Sequence, residues 1–218
     1  MDTEKINIFD EDNKQLGVAT REEVHRIGHW HETFHCWFIS TKNDKNYIHF
    51  QIRSDDKKDF PNLLDITAAG HILANETIAD GIREVKEELG IDVSFGDLFS
   101  LGVIKDRIIQ DDFIDKELGN VFLYRSENTL DDEYELQSEE VSGVVKAEFK
   151  SFYELCLGEK EEIKIEGFEI TNAGEKILIN KSVSKKSFLP HEKTYFERVI
   201  KLIKEELERK HDKSTTFN

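Results

Sequence analysis

Three glutamates, Glu84, Glu87 and Glu88, sit close together near the end of the stretch Ala68–Ile91, AAGHILANETIADGIREVKEELGI. At i, i+3 and i+4 of a helix they share one face, about 5–6 Å apart at Cβ. Like charges this close repel one another and weaken the helix unless a cation sits among them. A hard divalent cation, which prefers oxygen ligands, suits that place. Ile78, Ile82, Val85 and Leu89 form a separate apolar stripe at helical spacing, so one face is anchored on a core and the acidic face is left free. Gly81 falls inside this predicted helix, at a cost of about 1 kcal/mol relative to Ala.

The same stretch resembles the Nudix box, the signature of the Nudix hydrolase superfamily: Gly, five residues, Glu, seven residues, then Arg-Glu-aliphatic-x-Glu-Glu-x-Gly-aliphatic. Gly70, Glu76 and the run Arg83–Ile91 match, but only six residues, Thr77 to Ile82, separate Glu76 from Arg83. The short spacing predicts a tightened loop. The resemblance implies an α/β fold, an α/β/α sandwich with a mixed central sheet, with the Nudix loop and helix at its edge. It implies Mg²⁺ or Mn²⁺ as cofactor, held by Glu84, Glu87 and Glu88, with Glu88 the strongest ligand and the Gly70 carbonyl completing the shell. Glu84 is a ligand that acts as base in some members. Glu76 and Arg83 are implied to be an ion pair bracing loop against helix.

Residues 5–150 further resemble the branch that contains type I isopentenyl-diphosphate isomerase and its hydrolase relatives. The run His31-Glu32-Thr33-Phe34-His35-Cys36-Trp37 resembles an isomerase stretch with a His five residues before Cys-Trp. Arg53 to Pro61 resembles the segment whose Arg and Lys hold the substrate diphosphate, which nominates Arg53, Lys57 and Lys58. Gly70-His71 matches the segment whose His ligates metal, and Asp115-Lys116-Glu117 falls where the isomerase carries two acidic residues. A second metal on His31, His71 and Asp115 follows from the resemblance. The isomerase has a catalytic Cys immediately before the Gly-His pair, and Ala69 stands there instead. Isomerising an unactivated alkene needs a positioned proton donor and acceptor. Ala69 is neither, so the ancestry is isomerase-like and the chemistry is not.

Each of these residues also has a plainer reading. A charge run such as Glu84–Glu88 is ordinarily a solvated helix face, and only the surrounding match reverses that weighting. Arg53, Lys57 and Lys58 could be surface charges beside Asp55, Asp56 and Asp59. His25, His29 and His35 match no zinc spacing and read as structural. Trp30, Trp37, Phe188 and Tyr195 could stack on a nucleobase, although core packing is the safer assignment. For the general base, Glu117 competes with Glu140 of the acidic pair Glu139-Glu140.

Several elements must position these groups. Lys5–Phe9 reads as a strand, followed by a polar turn. Thr20 caps a short helix over Arg21–Ile27, with Glu23 three residues on, and Gly28 ends it. Phe34–Ser40 and Tyr47–Arg53 form a hairpin across Asn43-Asp44, and the apolar run Leu63–Ala69 leads into the box. Val93–Leu98, Phe99–Arg107, Phe113–Tyr124 and Val141–Phe149 read as strands, Asp131–Ser138 as an acidic solvated loop, and Phe152–Leu157 as a helix. Glu159–Lys186 mixes charge with Ile and Phe and has no clear pattern. Pro190–Lys210 is an amphipathic helix with Pro190 in its first turn and Phe196, Val199, Ile200, Ile203 and Leu207 on its apolar face. A single domain over 1–210 with a flexible tail over 211–218 results.

The 218 residues carry 38% hydrophobic and 35% charged side chains and a net charge of −16. Such an acidic chain is poorly suited to nucleic-acid polymers or anionic membranes, where phosphate contacts need Lys and Arg. A small anionic substrate must be met by a local cationic pocket or by metal. Two cysteines make no disulfide framework and fit a reducing cytoplasm. The N-terminal residues have no apolar signal, and no apolar run reaches the roughly 20 residues that span a bilayer. The expectation is a cytoplasmic, divalent-metal-dependent hydrolase of a diphosphate linkage in a small molecule, a nucleoside diphosphate derivative above all. A homodimer is common in the family. Isopentenyl-diphosphate isomerisation and a non-catalytic nucleotide-sensing domain are the alternatives.

Overall fold

The computed structural model describes residues 4–110, 113–126 and 134–214. Its strands are β1 (Lys5–Phe9), β2 (Gln15–Thr20), β3 (Trp30–Lys42), β4 (Lys45–Arg53), β5 (Leu64–Asp65), β6 (Ala68–His71), β7 (Leu98–Gln110), β8 (Phe113–Ser126), β9 (Val141–Glu148), β10 (Glu162–Ile170) and β11 (Lys176–Ser184). Its α-helices are α1 (Arg21–Ile27), α2 (Arg83–Leu89), α3 (Phe149–Leu157) and α4 (Lys193–Ser214).

All the strands belong to one sheet whose main order is β11-β10-β9-β4-β3-β1-β2. Strand β3 is the hub. One edge pairs in parallel with β8 from Trp30 to Ser40, and the other meets β1, β6 and β4 in succession, all antiparallel. The expected mixed sheet is therefore present, with the parallel pair at its centre. Side chains alternate across a strand, and β3 shows it. Phe34, Cys36 and Phe38 pack with Val85 and Leu89 of α2 on one face. Trp37 and Ile39 pack on the other with Phe152 of α3 and Tyr195, Val199 and Ile203 of α4. Helices thus cover both faces, which is the expected α/β/α sandwich.

Local chemistry explains most of the elements. Thr20 Oγ1 accepts the Glu23 N–H at 3.3 Å, capping α1. Asn43 and Asp44 hold φ of 51° and 60°, the left-handed pair that a two-residue hairpin turn demands. The predicted helix over 78–89 is in fact a 3₁₀ turn, Ile78–Ile82, running into α2. This is the tightened loop. Gly81 is required in it, because a Cβ there would lie 2.7 Å from Phe34 Cβ.

Other expectations need correction. Val93–Leu98 is not a strand, since Ser94 caps a 3₁₀ turn over Phe95–Asp97. Gln15–Thr20, with no predicted element, is an edge strand with Leu16 and Val18 outward. Glu159–Lys186 holds the hairpin β10–β11, which extends the sheet. Pro190 precedes α4 rather than sitting in its first turn, and α4 continues to Ser214, through part of the expected tail. Residues 131–133 and 215–218 of the expected loop and tail lie outside the described residues. No described helix is long and apolar enough to cross a membrane.

Candidate active site and metal centre

The sheet register gathers the site. His31, Thr33 and His35 share one face of β3, and Asp115, Glu117 and Gly119 share the same face of β8. Their registers place His31 beside Glu117 and Thr33 beside Gly119. On the other edge of β3, Thr33 pairs with His71 and His35 with Ala69 of β6. Helix α1 adds His25, and α2 closes the cleft with Glu84 and Glu88. The cleft is about 250 Å³.

The carboxylates of α2 part company. Glu88 is buried and accepts hydrogen bonds from the Ala69 N–H at 3.1 Å and Gln51 Nε2 at 3.2 Å. Glu84 turns inward against Gly70, where a Cβ would collide with its carboxylate. Glu87 is half exposed and reaches Arg83 at 2.8 Å. Arg83 also contacts Glu84 at 2.7 Å and Glu76 at 2.7 Å, and donates to the His71 carbonyl. The bracing pair Glu76–Arg83 therefore forms despite the missing residue, and Arg83 partly neutralises the acidic face. Burial pushes the Glu88 carboxyl well above the usual range, with the charge of Glu84 adding to it. Burial also raises Glu84, against the pull of Arg83. Two buried carboxylates that resist ionising side by side fit a divalent cation, whose charge would remove that penalty.

Across the cleft lies a second constellation. His25, His31 and His71 present ring nitrogens within 4.8 Å of one another, and a His31 nitrogen and carboxylate oxygens of Asp115 and Glu117 lie equally close together. Asp115 Oδ1 is 3.4 Å from both His25 Nε2 and His31 Nε2, too far for good hydrogen bonds. These three atoms and His71 Nε2 are all buried without a hydrogen-bond partner among the described residues. Buried polar atoms are normally paired, so four orphans converging on one region point to a bound ion or water. The donor set fits a metal. Burial holds His31 and His71 below the usual histidine range, which favours the neutral imidazole that a metal ligand needs. His31 Nδ1 lies 3.2 Å from the His29 carbonyl, which fixes the proton there and turns the Nε2 lone pair inward. His25 and His35 were expected to be merely structural. Instead His25 joins the cluster and His35 lines the cleft, 3.2 Å from Glu117. No spacing rule could find His25, because its partners come from β3, β6 and β8.

The basic residues sort differently from expectation. The Arg53 guanidinium lines the cleft but is occupied by its own loop: Nε to Phe60 O, Nη1 to Asp65 and Nη2 to Asp59 O, at 2.8–3.0 Å. It holds a loop in which Phe60 and Asn62 adopt positive φ, an uncommon conformation for such residues. Lys57 is in the cleft, paired with Glu140. Lys58 is exposed and away from the cleft lining. Glu139 is exposed as well, with Ser138 donating to it. Arg21, unforeseen, stands at the cleft wall near Glu4. Trp30, Trp37, Phe188 and Tyr195 are all buried, as the core reading expected. Cys36 is fully buried, and burial pushes its thiol up, so it offers the cleft no reactive thiolate.

No family model matches the chain. A Nudix hydrolase of Clostridium acetobutylicum, uncharacterised, is 36% identical over 203 residues, covering 93% of this chain and 98% of that protein. Nudix hydrolase 3 of Arabidopsis thaliana is 32% identical over 158 residues, 70% of this chain and 20% of the plant protein. Among solved structures, the Deinococcus radiodurans protein DR0079 superposes with a TM-score of 0.52 at 18% identity, covering 71% of this chain and 90% of that one.

Proposed function

The chain belongs to the Nudix hydrolases, and from that premise we propose that it cleaves a diphosphate linkage in a small molecule with the help of divalent cations. The observation that carries the proposal is one cleft with the inward carboxylates Glu84 and Glu88 on one side and His25, His71, Asp115 and Glu117 on the other, beside the fully buried His31. Mg²⁺ or Mn²⁺ at the carboxylates, with the Gly70 carbonyl near, would neutralise the diphosphate and polarise phosphorus. The imidazole-rich wall suits an ion such as Zn²⁺ better than Mg²⁺.

The chain's own groups do the rest. Lys57 can leave Glu140 for a phosphate oxygen, and Arg21 adds a second cation at the wall. Arg53 acts indirectly, by holding the 59–65 loop that carries Phe60 into the cleft. Glu117 takes the proton of the attacking water; Glu140 is the weaker candidate because Lys57 already neutralises it. Ala69 lines the cleft where the isomerase-like pattern has cysteine. A methyl group transfers no proton, so the isomerase-like ancestry is read as that of a hydrolase. A nucleoside diphosphate derivative is the proposed substrate class.

The test is Glu88→Gln, assayed for phosphate-containing products over a panel of nucleoside diphosphate derivatives with and without Mg²⁺ or Mn²⁺. Wild type should show metal-dependent cleavage, and the variant should lose at least about 100-fold, as when a group acting on the reacting centre is removed. Full retention of metal-dependent turnover would remove Glu88 from the site.

A further inference from the structure

Tyr195 of α4 is fully buried, yet its hydroxyl is part of a continuous line of polar contacts leading to the cleft. Trp37 Nε1 lies 3.4 Å from Tyr195 Oη, Tyr195 Oη lies 2.8 Å from His35 Nδ1, and His35 Nε2 lies 3.2 Å from Glu117 Oε2. His35 Nε2 is also 3.0 Å from Thr33 Oγ1. The direction of this line follows from its first member, since an indole N–H can only donate. Tyr195 oxygen therefore accepts from Trp37. Among the described residues its own proton has one acceptor in reach, His35 Nδ1. Donation there leaves the His35 proton on Nε2, which hydrogen-bonds Thr33 Oγ1 and lies 3.2 Å from Glu117.

A second observation shows that the His35 ring has a slot built for it. A Cβ on Gly119 would lie 2.8 Å from both His35 Nδ1 and Cε1. Only glycine at this point of β8 lets the ring stand between Tyr195 and Glu117. Trp37, Tyr195 and His35 are each at most 1% exposed, so water does not compete for these bonds.

We propose that Tyr195 and His35 are positioning residues: hydrogen bonds from Trp37 to Tyr195 and from Tyr195 to His35, with Thr33 at the far ring nitrogen, fix the His35 ring and its tautomer 3.2 Å from Glu117 and so hold that carboxylate toward His31 and Asp115. The C-terminal helix is then part of the active site although, among the described residues, none of its side chains lines the cleft. The inference rests on the reading of that cleft as a metal and diphosphate site. Groups that orient the residues around a metal from outside typically carry about 10- to 100-fold of metal affinity or activity.

Tyr195→Phe keeps the ring and deletes the hydroxyl. Imidazole ¹⁵N spectra should show His35 protonated at Nε2 in the wild type and a mixture of tautomers in the variant. Zn²⁺ titration, followed through the His25, His31 and His71 resonances, should show affinity lower by about 10-fold or more in Y195F, with the thermal transition still cooperative. Gly119→Ala, which displaces the ring and deletes no donor, should weaken Zn²⁺ binding similarly. A wild-type His35 protonated at Nδ1, or Zn²⁺ affinity in Y195F within twofold of wild type, would overturn the positioning role. Should Y195F not fold, the wild-type tautomer decides alone. If instead no diphosphate is cleaved while both spectroscopic results hold, the hydrolase reading fails and the positioning role stands.

Discussion

At the scale of single residues, the acidic face of α2 behaves as two carboxylates and a brace rather than three equal ligands. Glu84 and Glu88 turn inward, whereas Glu87 serves Arg83. Gly70 is the residue on which this arrangement depends, because its missing Cβ is what lets Glu84 lie against the β6 backbone. Gly70→Ala should therefore push Glu84 aside and weaken Mg²⁺ or Mn²⁺ binding by about 10- to 100-fold, measured by titration calorimetry. The melting temperature should barely move, since a half-buried strand end has room to adjust. Unchanged affinity would mean that Glu84 is not a ligand. The motif made these residues legible from sequence, but not their orientation, which depends on how Arg83 divides its bonds among Glu76, Glu84 and Glu87. His25 was illegible for another reason. It sits on α1 beside ligands from β3, β6 and β8, so its role exists only after the sheet has formed.

At the scale of elements, the segment entering α4 is clamped by His191. Its Nδ1 meets Asp106 of β7 at 2.5 Å and its Nε2 meets Asp65 of β5 at 3.0 Å, all three buried. Burial alone would lower this imidazole, but hydrogen bonds and charge from the two aspartates outweigh it and raise it to about 10. The folded value lies above an unfolded value of about 6.5, so the protonated clamp contributes fully below that. Its contribution declines as pH rises and is lost through about 10. Urea unfolding should show stability falling between pH 7 and 10, and His191→Gln should flatten that slope. At neutral pH the variant should be less stable by about 3–5 kcal/mol, as when one partner of a buried ion pair is removed. A slope that survives in the variant would assign it to other groups. The clamp was invisible in sequence because its partners lie 85 and 126 residues away. The β10–β11 hairpin was missed differently. Ile163 and Ile165 alternate with charged residues and point inward, a period-two pattern that the surrounding charge obscures. Long, strongly patterned elements such as β3, β4, β8 and α4 were readable because their apolar faces are continuous.

At the scale of the whole molecule, β3 explains why one region gathers both sets of candidate ligands. A strand that pairs with β8 on one edge and β6 on the other brings His31, Glu117 and His71 onto one face, and β6 hands the chain directly to the loop and α2. The fold class and the position of the box were legible because both are local patterns along the chain. The joining of two walls into one site is a property of register and was not. With a net charge of −16, the molecule as a whole repels an anionic substrate, so on the proposed reading divalent cations would supply the attraction as well as the chemistry. The most direct test of this account is turnover of nucleoside diphosphate derivatives by the intact wild-type protein in ¹⁸O-enriched water, with Mg²⁺ or Mn²⁺ and then with excess chelator. Cleavage that places one solvent oxygen on a phosphoryl product in each turnover, and stops when the metal is chelated, is the predicted result. Cleavage that persists under chelation, or products that carry no solvent oxygen, would contradict it.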